Sequence, residues 1–299
     1  MEKRRIRSLE VSVIGLGCNN FGWRIDESNA AAVVNAAMEE GINFFDTADV
    51  YANGKSEEYL GRALGKRRSK VVVATKFGMK MEEQRKGARP EYVHQAAESS
   101  LRRLGTDFID LYQLHEPDPT VPLADTIGAM EELVSAGKVV EIGCSNFSAE
   151  QLREAGGRFA SVQNQYSLMH RDPEKDVLPE SLDRGIAFLP YFPLASGLLT
   201  GKYRRGQPLP EGSRGKDQWG PKVFTDRNLE LVERLIRYAE SKQHTILELA
   251  FSWLGSSPAV ASVIAGATSS RQVQTNARAA NWELNRDELA EINELLGSL

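Results

Sequence analysis

DESNAAAVVNAAMEEGINFFDTADVY, residues 26–51, contains both patterns from which the fold is read. Its first part repeats apolar residues at helical spacing, behind polar residues that can cap a helix and ahead of Gly41, which can end one. Its second part, INFFDTADVY, opens as a buried strand. After Phe45 the apolar run gives way to Asp46, Asp49 and Tyr51. A helix feeding a buried strand whose far end turns polar is one unit of an alternating α/β chain.

The alternation continues in both directions. The apolar runs are VSVIGLG, INFFDT, VVVATKF, DFIDLYQLH, VVEIGCSN, SVQNQY, IAFLPYFP and SVIAGA, and helical patterns such as SEEYLGRALG, RPEYVHQAAESSLRRLG, PLADTIGAMEELVSAG and SAEQLREAG lie between them. Strands that alternate with helices imply a parallel sheet covered by helices, and eight such units in one run favour a closed barrel over an open sheet. The expectation is α/β: a single (β/α)8 TIM barrel domain spanning residues 1–299. Two segments stand outside the repeat. IRSLEVSV reads as a short N-terminal hairpin, and residues 197–226, rich in glycine, proline and charge, read as a long loop after the seventh strand.

Composition narrows the function classes. The chain has 299 residues and a net charge of −4 with both signs interspersed, so no nucleic-acid face or polybasic membrane patch is expected. Cys18 and Cys144 stand far apart without a CxxC pattern, which argues against a zinc site or a disulfide framework and fits the cytoplasm. The N-terminus has basic residues but no signal-peptide pattern, and no apolar run approaches a membrane span.

In a barrel of this type the reactive groups collect at the C-terminal ends of the strands. The second run ends at Asp46 with Tyr51 just beyond, the third at Lys76, the fourth at His115, the fifth at Ser145 and Asn146, the sixth at Gln163 and Tyr166, and the seventh at Tyr191. Singly, each has an ordinary structural reading: a strand-end cap, a loop aromatic, a lysine reaching for water, a satisfied histidine. Together they make an acid site. A phenol is a poor proton donor near neutral pH, and a neighbouring ammonium is expected to lower its pKa. Lys76 supplies that charge, Asp46 keeps the lysine protonated, and His115 can donate a hydrogen bond to the oxygen that Tyr51 protonates.

The ordered motifs DTADVY, ATKFG, YQLHEPD, EIGCSNF, QNQYSLM and PYFPLASGLLTGKY resemble those of the aldo-keto reductase superfamily over nearly the whole chain. The resemblance implies a catalytic tetrad of Asp46, Tyr51, Lys76 and His115, and a nicotinamide cofactor bound without a Rossmann domain. It also implies that Ser145, Asn146 and Gln163 hold the carboxamide, that Tyr191 stacks on the ring, and that Gly17 lies near the nicotinamide ribose. Leu194, Ser196, Gly197 and Lys202 follow as further cofactor contacts. GLGCNNFG is not a dinucleotide fingerprint, because Asn20 stands at the third glycine position and the next helix starts too late.

Thr268, Ser269 and Ser270 open a helix after the eighth strand, where N–H groups and hydroxyls suit a phosphate, although an ordinary serine cap reads the same way. By resemblance Gln272 and Asn276 lie on the adenine side. Ala265 and Gly266 stand where some relatives carry a proline and a lysine, which leaves Arg271 as the candidate for a 2′-phosphate. NADPH is preferred and NADH possible. The expected activity is reduction of a small-molecule carbonyl compound, an aldehyde or ketone, to an alcohol. A redox-sensing barrel that regulates a partner protein is the rival reading, and a phosphate-handling barrel isomerase or aldolase is a third. Phe21, Trp23 and Trp219 are candidates for an apolar pocket wall, and Arg24 for binding an anionic group. The sequence does not fix the oligomeric state.

Overall fold

The structure is a computed structural model that describes residues 1–82, 85–208 and 223–297. Eight parallel strands follow the expected runs: β3 (Ile14–Gly17), β4 (Phe44–Asp46), β5 (Val72–Phe77), β6 (Ile109–Leu114), β7 (Val139–Ser145), β8 (Ser161–Gln165), β9 (Ala187–Tyr191) and β10 (Val263–Gly266). They pair in the order β10-β3-β4-β5-β6-β7-β8-β9. The two edges meet at Phe188, whose N–H donates to the Ala259 carbonyl at 2.8 Å and whose carbonyl accepts from the Ala261 N–H at 3.0 Å. The sheet is thereby drawn into a TIM barrel.

Helices return the chain on the outside. They are α1 (Glu27–Glu39), α2 (Lys55–Leu64), α3 (Pro90–Leu104), α4 (Leu123–Ser135), α5 (Ala149–Glu154), α6 (Val177–Asp183), α7 (Asp226–Ser241), α8 (Ile246–Gly255), α9 (Ser270–Arg278) and α10 (Arg286–Gly297). Local chemistry sets several starts. The Asp26 carboxylate accepts from the Asn29 N–H at the head of α1, and Ser148 with Gln151 and Thr245 with Glu248 form reciprocal caps on α5 and α8. The loop expected over residues 197–226 holds a short turn of helix at Ala195–Thr200 and gives way to α7 at Asp226; residues 209–222 lie outside the described residues.

The expected hairpin is β1 (Lys3–Ile6) paired antiparallel with β2 (Leu9–Ser12). Ile6, Leu9 and Val11 pack with Phe44, Val72, Ala74, Leu111 and Leu189 in one buried cluster, so the hairpin closes the floor of the barrel. Two arginines fasten it. Arg4 donates to the carbonyls of Gly255 (2.7 Å) and Val260 (2.6 Å), and Arg7 to those of Gly157, Arg158 and Phe159. With the floor sealed, the opposite end remains for ligands.

The helical layer is tight where α2 crosses the end of α3. A Cβ built on Gly61 would stand 2.3 Å from the Leu104 carbonyl oxygen. Alanine in place of a mid-helix glycine normally stabilises by about 0.5–1 kcal/mol. Here Gly61→Ala should instead destabilise by about 1–3 kcal/mol, because backbone must move to admit the methyl group. Urea denaturation followed by circular dichroism checks the sign, and an unchanged or raised midpoint would refute the close approach.

Candidate active site

Several strand ends deliver polar groups to the open rim. Lys76, in β5, is wholly buried, a costly place for an ammonium unless its protons are paired. They are: Nζ donates to Asp46 Oδ1 (2.8 Å), Asp46 Oδ2 (2.7 Å) and the Thr47 carbonyl (2.9 Å). Asp46 Oδ1 also accepts from Gln163 Nε2 at 2.8 Å, which ties β4 to β8 across the barrel. Tyr51 follows on a tight turn that passes through left-handed backbone at Ala52 and Asn53. The Lys76 ammonium lies 5.2 Å from the Tyr51 ring centre, and the His115 ring meets that ring edge-on with centres 5.9 Å apart.

Electrostatics alter one expectation. Burial pushes the Tyr51 phenol above its ordinary pKa, and the nearby Lys76 charge, which acts to lower it, does not prevail. Tyr51 therefore holds its proton at neutral pH more firmly than the sequence reading supposed. Burial opposes the charge on Lys76, but Asp46 and Tyr51 together keep its pKa above the ordinary lysine value. For His115, burial and then the Lys76 charge push the pKa down to about 3, so the ring is neutral at physiological pH.

A cavity of about 770 Å³ opens above this cluster, with Asp46, Tyr51 and His115 on its wall. Gly17, Ser145, Asn146, Gln163 and Tyr191 line it too, as do Leu194, Ser196, Gly197 and Lys202 from the turn after β9. Asn146 is fixed at both ends, donating to the His115 carbonyl at 3.1 Å and accepting from the Tyr191 hydroxyl at 2.8 Å. Ser145 Oγ donates to the Gln163 carbonyl at 2.8 Å. From the region of α9 come Thr268, Ser269, Arg271, Gln272 and Asn276. Ser269 is the cap of α9, and Gln272 Oε1 accepts from the Thr268 N–H at 2.8 Å, folding the loop over the helix start.

Other candidates sit elsewhere. The Ser270 hydroxyl donates to the Ala32 carbonyl of α1 at 3.2 Å, and the residue is not part of the cavity wall. Phe21 is fully buried in the core rather than forming a pocket wall. Tyr166 points its hydroxyl at Glu174 (2.9 Å) and packs on Phe188 and Trp253. Trp23 is mostly exposed with the Arg24 guanidinium over its ring, and Arg24 itself reaches the cavity. Trp219 lies outside the described residues. Met79 and Glu116 line the cavity and were missed. Reading one to three residues further past Lys76 and His115 would have found them.

The Asp46 and Lys76 pair carries a clear energetic signature. Removing one partner of a buried ion pair costs about 3–5 kcal/mol, because the other charge is stranded. Asp46→Ala should lose stability on that scale, whereas the double variant Asp46→Ala/Lys76→Met should be more stable than Asp46→Ala alone. Equilibrium urea unfolding of wild type, Asp46→Ala, Lys76→Met and the double variant decides it; additive losses would mean that the two charges are not coupled.

Comparison with known proteins identifies the family of the chain. The model of the aldo/keto reductase family matches residues 13–296. The aldo-keto reductase YhdN of Bacillus subtilis is 35% identical over 301 residues, covering 96% of this chain and 91% of that protein. A probable voltage-gated potassium channel subunit beta of Arabidopsis thaliana is 34% identical over 291 residues, covering 91% and 88%. Among solved structures, the glycerol dehydrogenase of Gluconobacter oxydans superposes with a TM-score of 0.87 at 31% identity, covering 98% of this chain and 94% of the other. On these matches the chain belongs to the aldo/keto reductase family of oxidoreductases.

Proposed function

We propose that the protein is an NADPH-dependent reductase that converts aldehydes or ketones to alcohols, with Tyr51 as the proton donor. The observation that carries this reading is a protonated phenol beside a buried ammonium on the wall of a large cavity. Asp46, Tyr51, Lys76 and His115 hold protons but no reducing equivalents, so a redox reaction here needs a bound cofactor. The wall suits a dinucleotide. Its volume lies in the usual range for such sites. Ser269 and Arg271 at the start of α9 suit a phosphate, and Tyr191, tethered through its hydroxyl to Asn146, offers a fixed aromatic ring.

A reduced nicotinamide bound there would supply the hydride. Neutral His115 donates a hydrogen bond to the substrate carbonyl oxygen and orients it. Tyr51 gives its proton to that oxygen as negative charge develops, and Lys76 stabilises the phenolate left behind. Asp46 holds the lysine in place and charged. Reversal of these steps would oxidise an alcohol. The buried free cysteines Cys18 and Cys144 suit the reducing cytoplasm, and we read residues 1–299 as one domain acting on a small-molecule substrate.

The likeness to a plant potassium channel subunit beta motivates a second reading, a redox-sensing barrel that regulates a partner. A panel of aldehydes, ketones and sugars screened for NADPH oxidation separates the two, since steady turnover favours the reductase and binding without turnover favours the sensor.

Two substitutions test the reductase reading. Tyr51→Phe should lower kcat for carbonyl reduction by about 10²-fold or more with little change in NADPH affinity; near-normal turnover would remove Tyr51 from its role. Arg271→Ala should reduce the NADPH over NADH preference by roughly 10-fold or more, the scale of one charge-assisted hydrogen bond to the 2′-phosphate. Fluorescence titration with both cofactors reads it, and equal weakening of the two would show that Arg271 does not recognise that group.

A further inference from the structure

Two residues before Tyr51, Asp49 is almost wholly buried, and neither carboxylate oxygen has a hydrogen-bond partner. Only the Val50 N–H approaches, short of bonding geometry. The Asp49 main chain is nevertheless anchored, its N–H donating to the Lys76 carbonyl at 3.1 Å. The mechanism above makes no use of this side chain, although its main chain bonds to that of Lys76 and it stands two residues before the phenol.

Its surroundings account for charge in an unusual way. Glu57, on α2, is fully buried and satisfied: Oε1 accepts from Thr75 Oγ1 and Oε2 from Arg103 Nε, both at 2.6 Å. Glu57 and Arg103 are the charges that act most strongly on Asp49, followed by Arg85, and the Asp49 charge in turn acts on the phenols of Tyr92 and Tyr112. Two buried carboxyls thus lie in the field of Arg103, whose bond goes to Glu57 alone of the two. Two like charges held close in a low-dielectric site do not both ionise easily, and the pair retains a proton. That proton belongs on Asp49, because the Glu57 oxygens are occupied by donors and those of Asp49 are not.

Arg103 also touches the turn that carries the phenol. A Cβ on Gly54 would stand 2.6 Å from Arg103 Cδ, so the guanidinium arm lies flat against the end of the Tyr51–Gly54 turn. We propose that Asp49 is a positioning residue for Tyr51: carrying a proton in the active enzyme, it leaves Arg103 on Glu57 and against Gly54, where the arginine seats the turn that delivers the phenol. Ionised, Asp49 competes for Arg103, strands the Glu57 carboxylate and unseats the turn. Burial, followed by the Glu57 charge, raises the Asp49 pKa to about 7, which puts the transition near neutral pH.

The proposal rests on the reductase reading, and its test has one arm that does not need turnover. In the activity arm, wild-type kcat should fall by about fivefold or more between pH 6.5 and 8.5, as expected when one ionisation disables the active form. Asp49→Asn, which mimics the neutral acid, should change by less than about twofold over the same range. Glu57→Gln frees Arg103 for Asp49 and should move the fall to lower pH by about one unit. A role in packing alone would give none of these opposed shifts.

In the stability arm the sign follows from the direction of the shift. Folded Asp49 binds its proton more tightly than the unfolded chain does. The native state therefore loses stability as pH rises from the ordinary carboxyl range to about 7, and does not recover it above. The Asp49→Asn melting temperature should accordingly gain on wild type by about 3 °C or more between pH 5 and pH 8. Parallel kcat profiles for wild type and Asp49→Asn would overturn the positioning role, and parallel melting temperatures would overturn the buried proton. No turnover by wild type at any pH would overturn the reductase reading, leaving the melting temperatures to judge the proton alone.

Discussion

A single ammonium, buried without any exposure, is the constraint around which the barrel interior is arranged. Stripping a charge of water costs several kcal/mol even after the protein relaxes. Lys76 recovers that cost only because three acceptors from β4 and its following residue receive all three of its N–H bonds. Asp46 in turn takes a third bond, from Gln163 on the far side of the barrel. The registers of β4, β5 and β8 are therefore coupled, since a slip of one residue turns a side chain to the opposite face and would leave charge in the apolar helical layer. Burial keeps the proton on the phenol against the pull of this ammonium, and burial followed by the ammonium's charge keeps the imidazole neutral.

How much of this was written in the chain depends on the kind of signal. The eight strands were legible because each is an apolar run ended by polarity, and the ends brought Asp46, Tyr51, Lys76 and His115 to one wall of one cavity or directly beneath it. Helices α1 to α5 were legible by their spacing and caps. Helix α8 was harder, because nearly every residue from Ile246 to Leu254 is buried and no polar face interrupts the run. Helix α7 carried a clear amphipathic pattern, with Leu231, Val232, Leu235, Ile236 and Ala239 inward, yet it was overshadowed by the glycine and proline ahead of it. What could not be read at all was the direction of a competition. The sequence places an ammonium near a phenol, but only the depth of burial decides whether attraction or desolvation governs the proton. The fate of Ser270 was likewise hidden, since its partner is a carbonyl on α1 more than two hundred residues away.

Backbone strain is distributed unevenly. Among the described residues, eight other than glycine have positive φ, and six of these, Ala52, Asn53, Asn146, Phe192, Ala195 and Ser196, lie on loops following β4, β7 and β9. Left-handed backbone costs an ordinary residue about 1 kcal/mol. Such costs persist where surrounding structure over-determines the conformation. Here the over-determination is visible: Asn146 is held by its bonds to His115 and Tyr191, and Gly54, which completes the turn after Asn53, lies against Arg103. The rim is thus stiff where the proposed acid and the aromatic ring must be aimed.

The hairpin floor has a consequence for the order in which the molecule can be completed. Arg4 bonds to carbonyls around residues 255–260, and β3 pairs with β10 over residues 263–266 as well as with the nearby β4, so the hairpin and one side of β3 depend on segments some 250 residues further along the chain. Contacts of such long sequence separation form late, because a loop of some 250 residues must close before they hold. Until then the apolar side chains of Ile6, Leu9 and Val11 have only the part of their cluster that β4, β5, β6 and β9 supply, without Ala261 and Ile264. The floor is therefore latched by Arg4, and the open edge of β3 is paired, only when the segment carrying the eighth parallel strand is in place.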